Sequence, residues 1–194
     1  MSRQNLRWNQ WLLSGSTLLA SWMGLQAVHE FGHVVGAWVS GGVVEHVELH
    51  PLAISRTDLA KNPHPRLVVW AGPLLGTLLP LAAWLIALAG RCRGAFLLRF
   101  FAAFCLVGNG VYIAVGSLSG IGDSGDMLRH GSPAWLLWLF GVVTVPAGLL
   151  LWHGQGVHFG LGAEHRPVPQ TIVWLTASTA ISLILLGIAV SAWQ

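Results

Sequence analysis

Runs of about twenty apolar residues recur along the whole chain, and that is the length a helix needs to cross the ~30 Å hydrocarbon core of a bilayer. Five can be marked, at about 11–39, 67–89, 95–115, 134–152 and 171–193. Gly41-Gly42 stops the first. The stretch GRCRG at 90–94 stops the second, and Ser132-Pro133 gives the fourth a cap and a first-turn proline. With 54% hydrophobic and only 9% charged residues, the chain has too little charge to cover a soluble surface. Several Trp lie at the ends of the runs (Trp8, Trp11, Trp70, Trp135, Trp152, Trp174, Trp193), where the ring anchors at headgroup level or simply packs. The expected fold class is an all-α polytopic membrane protein of about five transmembrane helices, a single domain over 1–194.

The connections carry the polar residues. Along 43–49, Val43, Glu45, Val47 and Leu49 alternate with Val44, His46 and Glu48, which is strand periodicity and predicts a short β-hairpin after the first helix. Alternation of five spans puts loops 40–66 and 116–133 on one side; the N-terminus, 90–94 and the glycine-rich loop 153–169 fall on the other. A net charge of +3, spread along the chain, suggests contact with a lipid bilayer and no nucleic acid. Cys92 and Cys105 form no CxxC and read as free thiols. Arg3 and Arg7 ahead of an apolar run resemble a signal peptide, but the run continues into His29, so an uncleaved first span is expected.

That first run contains AVHEFGHVV at 27–35. Ionisable side chains are costly inside a span and there mark function by default. His29 and His33 are one helical turn apart on one face, so both imidazoles can share a metal ion, and Glu30 is placed to act as general base on a water held by that metal. Residue frequencies give about 0.008 chance HExxH matches in a chain of this composition. Two hydrogen-bonded histidines at a helix contact are the competing reading. His29 lies about 27 Å along the helix from Trp11, near the far end of the span, on the side of loops 40–66 and 116–133. A catalytic zinc needs a third protein ligand. Asp123 and Asp126, in GDSGDML, lie in a loop on that side, where they either supply it or serve a turn.

HEFGH at 29–33, WAGPLLG at 70–76 and GDSGDML at 122–128 together resemble the site-2 protease family of membrane-embedded zinc metallopeptidases. The resemblance covers about 11–130 as the core, with extra spans over about 134–193. It implies an intramembrane peptidase with one Zn2+ per chain on His29, His33 and Asp123 (alternative Asp126). It implies Glu30 as the catalytic base. The family's Asn-x-x-Pro stands here as Asn109-Gly110-Val111-Tyr112, which makes Asn109 the candidate substrate-positioning residue. The implied partner is a membrane protein or peptide substrate, cut in a bacterial-type cell membrane, with homo-oligomerisation left open. The hairpin would offer a strand edge to an extended substrate. Two other functions stay in view: an inactive relative that binds or regulates, and a metal-ion transporter.

Lesser candidates remain. Gly72 and Gly76 form a small-xxx-small pair suited to close packing against the HExxH helix. His46, Glu48 and His50 share a strand face that either takes a second metal or is solvated. His153, His158 and His165 belong to a glycine-rich loop on the other side. Lys and Arg counts lean slightly to a cytoplasmic N-terminus; the resemblance implies the opposite orientation.

Overall fold

The computed structural model describes residues 3–161 and 168–193, with side chains from Arg7 onward; Glu164, His165 and Arg166 lie outside the described residues. Helix α1 covers Arg3–Val39, about 55 Å of helix. It ends where Gly41 takes a left-handed φ of 76° and the Gly42 N–H donates back to the Ala37 carbonyl at 2.8 Å. Strands β1 (Val43–Glu48) and β2 (Arg56–Lys61) follow as the expected hairpin, antiparallel, with Val47 opposite Thr57 and Glu48 opposite Arg56. Then come α2 (Pro65–Ala89), α3 (Ala95–Ser119), α4 (Gly122–Arg129) and α5 (Ala134–Trp152). A 3-10 turn at Gln155–Phe159 precedes α6 (Gln170–Ala192).

Helix α4 corrects the expectation of a plain loop over 116–133. Gly120, in the left-handed region at φ 64°, ends α3, and the chain turns at once into eight helical residues. Asp123 in the first turn and Arg129 in the last complement the helix dipole. Met127 and Ser124, both fully buried, hold the short helix against the body.

Helix α1 packs along α2 and α6, α2 along α3, and α3 along α5. The α1–α2 contact is close because the residues are small. A Cβ on Gly32 would run into the backbone of Ala71 and Gly72, and one on Gly36 would meet the Ala71 methyl at 2.7 Å. The hairpin and α4 both sit at the end of the bundle where α1 finishes. There the Leu49 N–H donates to the Ser191 hydroxyl of α6 at 2.9 Å. At the other end, the Gln10 amide donates to the Gly160 carbonyl beyond the 3-10 turn at 2.9 Å.

Four helices, α2, α3, α5 and α6, are long and apolar enough to cross a membrane. They mark a mostly helical integral membrane protein with one small sheet. Helix α1 is longer but not among the four. Ser14, Ser16, Thr17, Ser21, Gln26 and the HEFGH residues dilute its apolar run. Its polar residues from Ser16 onward are covered by the rest of the protein. Ser16, Thr17, Ser21, Gln26, His29, Glu30 and His33 are all buried, while Trp11, Leu18, Trp22, Phe31 and Trp38 are exposed.

Candidate metal centre

The four-residue spacing in α1 stacks the two imidazoles on one face, with ring centres 4.8 Å apart. Each ring is oriented by the nitrogen that faces away from the other. His33 Nδ1 lies 2.9 Å from the Val68 carbonyl of α2, which can only accept, so Nδ1 carries the proton. His29 Nδ1 lies 2.6 Å from Asn109 Oδ1 on α3. Asn109 donates its Nδ2 to the Cys105 carbonyl at 2.9 Å, which assigns the amide so that Oδ1 is the atom facing His29. His29 Nδ1 therefore donates as well. In the neutral form of each ring, the one that can bind a metal, Nε2 is then the bare lone pair.

Those two lone pairs meet each other and an anion. His29 Nε2 and His33 Nε2 are 3.1 Å apart. Asp123 Oδ2 lies 2.7 Å from the first and 3.3 Å from the second. Three acceptors thus converge in a buried place, an arrangement that calls for a cation. Nitrogen and oxygen ligands of a tetrahedral zinc sit about 3.3 Å apart, given bonds of about 2.0–2.1 Å. Two of the observed separations, 3.1 and 3.3 Å, lie close to that, and the third, 2.7 Å between His29 Nε2 and Asp123 Oδ2, would have to open by about half an ångström, so the donor set fits such an ion after a small shift of the Asp123 carboxylate. Among the described residues, this is the one group of three His, Cys, Asp or Glu side chains that could hold a metal.

Asp126 borders the cavity that these ligands line but stays outside the ligand group. It pairs with Arg129 on the exposed side of α4 and takes no part in the cluster. Asp123 is fixed by α3. Its backbone N–H donates to the Tyr112 hydroxyl at 3.2 Å, and the Ser124 hydroxyl donates to the Tyr112 carbonyl at 3.2 Å. Gly122 is required here, because it adopts φ 61° and a Cβ on it would strike the Tyr112 hydroxyl. The AGP stretch of α2 has an equally direct part. A Cβ on Gly72 would sit inside the His33 ring, and one on Gly76 would meet the Asn109 amide at 3.0 Å. Gly72 therefore packs against the HExxH helix as the small-xxx-small pair suggested, while Gly76 makes room for Asn109. Asn109, expected to position substrate, has both ends of its amide engaged within the protein, and what it positions in this geometry is His29.

Glu30 is 3% exposed and lines the same cavity, of about 860 Å³, that His29, His33 and Asp123 open onto. Its Oε2 accepts a hydrogen bond from the Thr57 hydroxyl of β2 at 2.8 Å. Sequence reasoning missed Thr57: alternation along β1 implied a partner strand but not the register that brings Thr57 over α1. It also missed Tyr112 as the support for Asp123. A signal existed, since Tyr112 lies three residues after Asn109 and so shares its helix face.

Among the described residues, the other histidines do not converge. His46 Nε2 is 3.8 Å from Glu48 Oε2, while His50 turns aside, its backbone N–H donating to Glu48 Oε1 at 2.9 Å and its Nδ1 accepting from the Leu52 N–H at 3.3 Å. His158 stacks on Phe96 at the far end of the bundle. Cys92 and Cys105 are free thiols. No family model, no curated protein and no solved structure matches this chain, so its function is read from the site itself.

Proposed function

We propose that the chain is a zinc-dependent intramembrane metallopeptidase of the site-2 protease type, hydrolysing peptide bonds of membrane-associated proteins. The observation that carries this reading is the meeting of His29 Nε2, His33 Nε2 and Asp123 Oδ2 on the wall of a cavity that Glu30 also lines. Three protein ligands and an open fourth position are the pattern of catalytic rather than structural zinc sites. Zinc bound there would lower the pKa of a water to about 7 and polarise a carbonyl oxygen.

The chain's own residues do the rest. Thr57 holds one carboxylate oxygen of Glu30, which leaves Oε1 to take a proton from the attacking water. The oxygen of that water bonds to the carbonyl carbon, and Glu30 returns the proton to the amide nitrogen as the C–N bond breaks, so an amine and a carboxylic acid leave, the acid losing its remaining proton to solvent. Asn109 and the Val68 carbonyl keep the imidazoles in one tautomer throughout. Residues 55–59 of the hairpin line the cavity, where an extended substrate could add to β2 through main-chain hydrogen bonds. Helix α1 serves as a fifth span, as its polar side chains from Ser16 to His33 are buried against the rest of the protein while Leu18, Phe31 and Trp38 are exposed.

The test is cleavage of a labelled transmembrane peptide by the purified protein in detergent. Glu30→Gln should retain zinc and lose about 10²–10⁴ of the rate, the usual contribution of a general base. Equal, background-level turnover in wild type and Glu30→Gln, with zinc present in both, would leave a metal-binding membrane protein that is not a peptidase.

A further inference from the structure

The cavity does not stop at the metal centre. It continues between α1, α3 and the end of α5 as an apolar arm lined by Trp22, Leu25, Phe104, Val107, Gly108 and Trp152. One polar side chain interrupts this wall. Gln26 is 6% exposed, and its Nε2 is buried with no hydrogen-bond partner. Other buried polar atoms among the described residues also lack partners, but none of their residues lines this cavity. The spacing of Trp22, Gln26, His29, Glu30 and His33 puts them on one face of α1, so the Gln26 amide sits one turn from Glu30.

A buried amide donor without an acceptor is destabilising, more so where the surroundings are apolar. An acyl chain entering the arm would offer it nothing. A polypeptide would offer a carbonyl oxygen. Trp22 lies seven residues before His29, about 10 Å along the helix. At about 3.3 Å per extended residue, the arm takes roughly three residues.

We propose that Gln26 and this arm form a substrate subsite, in which about three apolar residues on one side of the scissile bond lie extended and the Gln26 amide, unpartnered where it lies, turns into the cavity to hydrogen-bond to the backbone of one of them. The inference rests on the peptidase reading for the scissile bond, but the subsite can be tested without turnover.

The test uses the full-length zinc-loaded protein in detergent, carrying Glu30→Gln so that bound peptide is not consumed. The probe is a fluorescent peptide with a central Leu-Leu-Leu stretch, and the readouts are its dissociation constant and the zinc content. Adding Gln26→Met, close in volume but without the amide, should raise the dissociation constant about tenfold while one zinc per chain is kept. Gln26→Asn should fall between. An aspartate in place of the central leucine should weaken binding to the Gln26 protein more than any single change at Gln26. An unchanged dissociation constant in Gln26→Met overturns the subsite. So does absence of saturable binding, or loss of zinc from Gln26→Met, which would make Gln26 a packing residue. If a labelled phospholipid lost affinity in Gln26→Met and the peptide did not, the arm would belong to lipid. Tight, Gln26-dependent binding of a peptide that wild type never cuts would remove the hydrolytic reading and leave the subsite standing.

Discussion

Two groups in this molecule contain the same side chains, two histidines and an acid. His29, His33 and Asp123 bring three ligand atoms together, whereas His46, Glu48 and His50 do not. The second group is the closer in sequence, three residues within five positions at and just beyond the end of β1. The first is assembled from two elements 90 residues apart. Side-chain type therefore does not make the centre. Convergence does, and it is enforced from behind by Val68 and Asn109 on the outer nitrogens, by Gly72 under the His33 ring and by Tyr112 under Asp123. On the hairpin Glu48 Oε1 and His50 Nδ1 are spent locally, on the backbone of His50 and Leu52, and His46 Nε2 is left with Glu48 alone, at 3.8 Å.

Removing the room behind a ligand should break the first group most. Gly72→Ala places a methyl inside the His33 ring, so His33 must leave its position. Zinc retention and peptide cleavage should both be lost, as read by metal analysis and turnover on the same sample. Removing an outer hydrogen bond should do less. Asn109→Ala frees the His29 ring and should weaken metal affinity about 10–100-fold, measured by competition with a chelator. Thr57→Val touches only the base. Zinc should stay at one per chain while the rate falls several-fold, in keeping with the loss of one hydrogen bond to a carboxylate. The smallest effect belongs to the second group. His46→Ala with His50→Ala should leave the number of zinc ions per chain unchanged, and a drop by one would show that the hairpin binds metal after all.

Much of the centre was legible because helix periodicity is rigid. Residues four apart on α1 must share a face, so the pairing of His29 with His33, and the place of Glu30 beside them, follow from spacing alone. Alternation of the apolar runs put 40–66 and 116–133 at one end, and there β2 meets Glu30 and Asp123 meets the histidines. Strand alternation along 43–49 announced β1. What stayed hidden depends on orientation rather than order. Asp123 and Asp126 are three apart, and only the helical turn of α4 decides which faces inward. That turn was masked by Gly122, Ser124 and Gly125, poor helix formers that are needed for close approach to Tyr112 and the end of α3. Asn109 was singled out for substrate, but its partner is decided by the distance between α1 and α3, which no local pattern encodes. The length of α1 was underestimated for a related reason. Its first residues are polar, and apolar periodicity marks only the part of a helix that needs burial.

The central claim is that His29, His33 and Asp123 hold a metal while Glu30 stays free of it. Zinc content of the purified protein, measured side by side for wild type, Glu30→Gln, Asp123→Ala and Asp126→Ala, tests this most directly. One zinc per chain in wild type, Glu30→Gln and Asp126→Ala, with none in Asp123→Ala, is the expected result. A wild-type protein without zinc, or an Asp123→Ala protein that keeps it, would contradict the claim.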